Sequence, residues 1–117
     1  MTFMHITIDM NGCNVKKLKD IDVHYELLNK LPYLIGMNQI QQTYVFPYTG
    51  LEQGNKGITG IVIVDESHIS IHSFEEREYC FVDIFSRTIF NKQEAIDIVL
   101  NIFEPKSHNI NFLNRFC

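Results

Sequence analysis

The stretch Glu66-Ser67-His68-Ile69-Ser70-Ile71-His72-Ser73-Phe74 gathers side chains that could do chemistry: a carboxylate, hydroxyls and two imidazoles. Glu66, His68, Ser70 and His72 alternate with Ser67, Ile69 and Ile71. That is the period of a strand with one polar and one apolar face. Three uses fit the pattern: the solvated face of a half-buried strand, a catalytic constellation, or a metal held by His68 and His72. No clear third ligand accompanies the two histidines, so no metal is assigned. Short motifs carry little information alone, and the residues by themselves leave the first two uses open.

The surrounding sequence predicts the elements that must position this stretch. Phe3–Asp9 reads as a strand, broken by Asn11-Gly12. Asp20 is placed to cap a helix over Ile21–Leu31, with Val23, Leu27, Leu28 and Leu31 on one face. Pro32 and Gly36 are expected to end or bend it. Gln39–Phe46 reads as a strand, and Pro47, Gly50, Gly54 and Gly57 mark a polar connection. Gly57–Glu66, His68–Ser73 and Tyr79–Phe85 are three further strands. Asn91 with Glu94 resembles a capping box before the stripe Ala95, Ile98, Val99, Ile102. The tail, His108–Cys117, is expected to add a short strand. The order β-α-β-β-β-β-α-(β) has too few crossovers for a parallel sheet. It predicts an α+β, two-layer αβ sandwich: an antiparallel sheet with helices packed on one face.

The size of the chain, 117 residues, suits one domain spanning 1–117. It is 45% hydrophobic and 21% charged, which argues against disorder and coiled coil. Ten Lys+Arg against 14 Asp+Glu leave a net charge of -4, so no nucleic-acid partner is expected. For the same reason Lys16, Lys17 and Lys19 read as a solvated turn. No membrane partner is expected, since no apolar run reaches about 20 residues. MTFMHITIDMNG lacks the pattern of a secretory signal. Three cysteines, Cys13, Cys80 and Cys117, form no paired spacing and point to a reducing cytoplasm.

ESHISIH followed by SFEE and YCFVDIFS resembles the small prokaryotic S-adenosylmethionine decarboxylases. Gly57-Ile58-Thr59-Gly60 is similar to their Gly-x-Ser/Thr-Gly element, and His5–Cys13 (HITIDMNGC) to their first strand and Gly-Cys turn. The longer loop before Gly57 is similar to a decarboxylase-related branch. The resemblance implies a proenzyme that cleaves itself between Glu66 and Ser67 and turns Ser67 into a pyruvoyl cofactor. His72 and the Thr59 hydroxyl would serve that processing, since a hydroxyl needs a partner to become a nucleophile. The ketone would take the substrate amine as a Schiff base and drain electrons as CO2 leaves. Phe74 matches an aromatic stacker, Glu76 a ribose-binding carboxylate, and Asp9 an acidic position near the substrate. The implied function is decarboxylation of S-adenosylmethionine for polyamine (spermidine) synthesis, by a homodimer.

On a regular strand Ser67 and His72 point to opposite faces, so a bend or bulge at Ser67 is expected. The sequence also departs from the family. Arg87 stands where the family has its proton-donating cysteine, and a guanidinium does not give up a proton at neutral pH. Cys80 reads as a core residue rather than a substitute. Glu75 replaces the usual proline between Phe74 and Glu76, and the tail Asn114-Arg115-Phe116-Cys117 stops short. The processing set is complete and the turnover set is not, which predicts self-cleavage with slow or misprotonating turnover. Two alternatives stand beside the first reading: a decarboxylase for another amino acid whose carboxylate pairs with Arg87, and a catalytically dead homologue that binds or regulates. His5, His24 and His108 are read as structural or exposed. Asp83 is left as a buried carboxylate or an active-site neighbour, and the loop Thr49–Lys56 as a substrate cover or simple surface.

Overall fold

In the computed structural model, which describes residues 3–116, the polypeptide forms one sheet backed by helices. Strand β1 (Phe3–Asn11) buries Met4, Ile6, Ile8 and Met10 and turns the intervening residues outward. Helix α1 (Val15–Lys19) is a single short turn that the sequence reading missed. Asn14 caps it by accepting from the Lys16 amide at 3.0 Å, and Leu18 anchors it in the core. The three lysines read as a turn therefore lie on this helix.

Helix α2 (Ile21–Leu34) begins where expected, with the Asp20 carboxylate accepting from the Asp22 amide at 3.0 Å. Its end is a correction. Pro32 lies inside the helix, which runs on to Leu34. Proline forgoes only its own amide bond, and the Ile35 amide still reaches the Leu31 carbonyl at 3.0 Å. The next strand is also displaced. It is β2 (Tyr44–Tyr48), not Gln39–Phe46, and Gln39 makes only an isolated bridge to Val64. Gln39 Nε2 donates to the Gln41 carbonyl and to Thr43 Oγ1, folding this segment onto itself instead of into the ladder. Pro47 is tolerated because β2 is an edge strand.

Strands β3 (Gly57–Val64), β4 (Ser67–Phe74) and β5 (Tyr79–Ser86) form the centre, and Glu66 falls in the β3–β4 turn rather than in a strand. Helix α3 (Lys92–Phe103) is capped by Asn91, which accepts from the Glu94 amide at 3.1 Å. Strand β6 (Ser107–Arg115) is nine residues long, not short, and pairs with β1 along its whole length. Cys117, the end of the expected tail strand, lies outside the described residues.

The sheet order is β2-β3-β4-β5-β1-β6, and every pairing is antiparallel. The helices cover one face, so the expected α+β two-layer sandwich is the observed one. Close packing of α2 requires Gly60, where an added Cβ would lie 2.7 Å from Leu28 Cδ1. No helix among the described residues is long and apolar enough to cross a membrane.

Candidate active site

Alternation on a regular ladder decides where each candidate side chain goes. β4 pairs with β3 without a break from Val64–Ser67 to Gly57–Phe74. The bulge expected at Ser67 is therefore absent. Ser67 belongs to the helix-covered face, 5% exposed, whereas Thr59 and His72 occupy the helix-free face. Five residues of strand also separate Ser67 from His72, about 16 Å at ~3.3 Å per residue. One chain thus does not bring Ser67 to its expected partners.

Two local sites result. The first is the Glu66–Ser67 junction. Asp65 and Glu66 form a two-residue turn between the paired residues Val64 and Ser67. Asp65 adopts φ 35°, a left-handed conformation that strains a residue with a Cβ. Asn38 holds it there: the Asp65 amide donates to the Asn38 carbonyl at 3.0 Å, and the Asn38 amide donates to Asp65 Oδ2 at 3.1 Å. Beyond the turn, the Arg87 amide donates to Ser67 Oγ at 2.9 Å. Arg87 Nε lies 3.6 Å from Glu66 Oε2, an ion-pair distance too long for a hydrogen bond. The Arg87 side chain is 39% exposed as a whole, but its Nε is buried with no hydrogen-bond partner among the described residues.

The second site is on the helix-free face. Thr59 and His72 are direct cross-strand partners, with Thr59 Oγ1 3.2 Å from His72 Nδ1. They open into a cleft of about 320 Å³ whose aromatic walls are Phe46, Tyr48 and Phe74. Gly57 forms part of the floor; a Cβ there would lie 1.6 Å from the Ser73 carbonyl oxygen, so no larger residue fits. Phe74 meets Phe81 edge-to-face at 5.9 Å. Asp9 shares the cross-strand row His72–Phe81–Asp9, two strands from His72, about 10 Å away. It faces a separate depression of about 220 Å³. Glu76 lies in the β4–β5 turn, near Gly54 of the long loop.

That loop is pinned to the turn. Arg77 Nε donates to Asn55 Oδ1 at 2.7 Å, and Lys56 Nζ is 3.7 Å from Glu75 Oε1. Asn55 thereby reaches the cleft. It was missed by the sequence reading, as were Phe46 and Tyr48, although the alternating aromatics of Tyr44-Val45-Phe46-Pro47-Tyr48 were the available signal.

The remaining candidates resolve into distinct roles. Cys80 is fully buried, and burial pushes its thiol well above the ordinary range, so it is a core residue. Asp83 is half-exposed and lies 3.8 Å from His5 Nε2. Burial, with His5 nearby, lowers the His68 pKa. His68 and His72 are about 13 Å apart along the strand and cannot share one ion. No group of three or more His, Cys, Asp or Glu suited to a metal occurs among the described residues. His24, isolated in sequence, is fully buried on α2. Its Nδ1 lies 2.8 Å from the Asp20 carbonyl and its Nε2 2.8 Å from Ser73 Oγ. A carbonyl only accepts, so the proton is assigned to Nδ1, and the single Ser73 proton goes to the bare Nε2 at 2.8 Å in preference to the Ile58 carbonyl at 3.3 Å.

The family model described as S-adenosylmethionine decarboxylase matches residues 4–116. An S-adenosylmethionine decarboxylase proenzyme of Thermococcus kodakarensis is 27% identical over 112 residues, covering 95% of this chain and 74% of that one. The S-adenosylmethionine decarboxylase proenzyme 2 of Bacillus cereus is 29% identical over 113 residues, covering 95% of this chain and 86% of that one. In the crystal structure of the adenosylmethionine decarboxylase from Aquifex aeolicus the same fold recurs, with TM-score 0.76 at 23% identity over 95% of this chain and 88% of that one.

Proposed function

Because this chain belongs to the S-adenosylmethionine decarboxylase family, we propose that it is a self-cleaving, pyruvoyl-dependent decarboxylase of S-adenosylmethionine feeding polyamine (spermidine) synthesis. The observation that carries this reading is the Glu66–Ser67 junction itself. It follows a strained residue in a two-residue turn, and the Ser67 hydroxyl is fixed by the Arg87 amide at 2.9 Å. A serine held this way suits conversion to a pyruvoyl group, because the same oxygen must attack the preceding carbonyl and later leave. When formed, that group supplies an electron sink for the loss of CO2.

The chain's own residues have separable tasks in this reading. The aromatic walls of the cleft, Phe74 with Phe46 and Tyr48, would hold the flat, cationic substrate by stacking and cation–π attraction. Glu76 would accept from ribose hydroxyls, and Asp9 would favour the positive charge. The Thr59–His72 pair would move protons during processing. Since it lies about 16 Å along the strand from Ser67 in the same chain, it would act on the junction of a second copy. The helix-free face, where Tyr44, Phe46, Tyr48, Tyr79 and Phe81 remain exposed, is the surface such a copy would cover. The working unit is then a homodimer in the cytoplasm.

Arg87 at the proton-donor position favours a second reading of turnover: a chain that cleaves itself but decarboxylates slowly, serves another amino acid, or acts as a binding partner. Intact mass tests the first reading. Freshly purified protein should show two fragments divided between Glu66 and Ser67. A single species at 13.7 kDa, with nothing trapped by borohydride, would refute it. Release of CO2 from S-adenosylmethionine, compared with ornithine and arginine, then separates the two readings.

A further inference from the structure

We propose that Asn55 selects the substrate by its heterocycle: the Asn55 amide nitrogen donates to a ring nitrogen of the adenine base, and Arg77 is the positioning residue that turns that nitrogen toward it. The inference rests on the reading above, in which the aromatic cleft holds the nucleoside of S-adenosylmethionine. It adds the group that tells one flat ring from another.

Three observations meet at Asn55. It lines the cleft of about 320 Å³ walled by Phe46, Tyr48 and Phe74. It also lines a neighbouring depression of about 360 Å³, which Arg77 lines too. Between them, Arg77 Nε donates to Asn55 Oδ1 at 2.7 Å. A guanidinium has donors and no acceptor, so the pair assigns the two ends of the amide: oxygen toward Arg77, nitrogen away from it. Arg77 borders the depression and not the cleft. Oxygen and nitrogen leave the amide carbon in divergent directions, so the N–H donors are turned to the cleft side.

Asn55 is also held still. Its backbone amide donates to the Glu52 carbonyl at 3.2 Å. Gly50, at φ 89°, approaches so closely that an added Cβ would lie 2.7 Å from Asn55 Cβ. The Glu75 amide donates to the Lys56 carbonyl at 3.1 Å, which fastens the next residue to the β4–β5 turn. A donor fixed beforehand loses little freedom when a ligand arrives.

The aromatic walls alone do not discriminate, since every base presents a π face to stack. Discrimination needs a group in the plane of the ring. Adenine offers ring nitrogens there as acceptors, and Asn55, with its oxygen turned to Arg77, offers the matching donor. A residue that only pinned the loop would need only the oxygen. Aspartate would serve that purpose better, because its charge is opposite to that of Arg77.

Asn55→Asp therefore separates the two roles: it keeps the contact with Arg77 and removes the donor. Binding of methylthioadenosine to the purified full chain is measured by calorimetry. This neutral nucleoside lacks the amino-acid part and binds whether or not Ser67 has been converted. Asn55→Asp should weaken it on the order of tenfold, with Tm unchanged or raised. Analogues in which CH replaces one ring nitrogen at a time identify the atom that is read. One of them should bind the wild-type chain on the order of tenfold more weakly than the parent nucleoside, and bind Asn55→Asp no more weakly than the parent does. Arg77→Met should lose most of that discrimination, and Arg77→Lys, which still donates to the oxygen, should keep it. Asn55→Asp within about twofold of wild type, or a wild-type chain that binds every analogue as tightly as the parent, overturns the assignment and leaves the cleft a nucleoside site. Discrimination unchanged in Arg77→Met, or lost equally in both Arg77 variants, overturns the positioning role. A wild-type chain that binds no methylthioadenosine overturns the underlying reading, and is recognised without any variant.

Discussion

Replacing Ser73 by alanine should destabilise the fold through a residue on another element. Ser73 and His24 are buried together, and the serine hydroxyl is the donor to His24 Nε2 at 2.8 Å. The histidine cannot turn away, because its Nδ1–H is engaged by the Asp20 carbonyl at 2.8 Å, and Phe103 packs edge-on against the ring at 5.7 Å. Ser73→Ala removes little volume but leaves a buried acceptor without a partner, a loss of about 1–3 kcal/mol. In a domain of this size each kcal/mol moves Tm by about 3–6 °C, so a fall of roughly 3–18 °C is expected. The same site makes stability depend on pH. Burial lowers the His24 pKa, so below the ordinary value of 6.5 the unfolded chain binds a proton that the folded chain refuses. Stability is complete above that pH and falls as the solution is acidified, by up to about 1.4 kcal/mol per pH unit. His68, also lowered, adds a loss of the same sign, so a His24→Leu chain is needed to isolate the effect. Urea unfolding followed by circular dichroism at pH 7.5 and 5.5 measures both, in a Ser67→Ala background that keeps the chain whole. Two results would refute the reasoning: Ser73→Ala within about 0.5 kcal/mol of its parent, or a His24→Leu chain as acid-sensitive as its parent.

Processing across a pair of chains gives a complementation test. Ser67→Ala and His72→Ala chains, each inert alone, should restore cleavage of the His72→Ala chain when co-expressed, because the Ser67→Ala partner supplies the imidazole. Failure to cleave when mixed would place both residues' action within one chain. The core cysteines should resist modification. Burial, with Glu78 adding to it, pushes the Cys13 thiol up to about 11, and burial also holds the Cys80 thiol well above its ordinary range. A Cys117→Ser chain should therefore show no thiol reactive to Ellman's reagent at pH 8 when folded, and two in denaturant. Rapid labelling of the folded chain would contradict the core placement.

Local periodicity made much of this protein legible in its sequence. The alternation in Phe3–Asp9 and Tyr79–Phe85, the Asp20 and Asn91 caps, and the two-layer antiparallel plan depend on interactions between near neighbours, which residue types set directly. The chemistry expected of the Glu66–Ser67 pair, and the departure at Arg87, came instead from the resemblance of Glu66–Phe74 and its surroundings to a known family. Where neighbours in space are distant in sequence, pattern fell short. Gln39–Thr43 alternates well enough for a strand, but its side chains find closer partners than the ladder offers. His24 looked isolated until folding set it against Ser73. The long loop showed no contacts in sequence, yet the fold fastens it at Asn55 and brings aromatic side chains from the edge strand beside His72. Above all, the unbroken β3–β4 register sends Ser67 and His72 to opposite faces. A strand's two-residue period fixes which side chains share a face, but only pairing with its neighbours shows whether a bulge resets that period. Here none does, and the groups that sequence placed together are separated by the sheet that carries them.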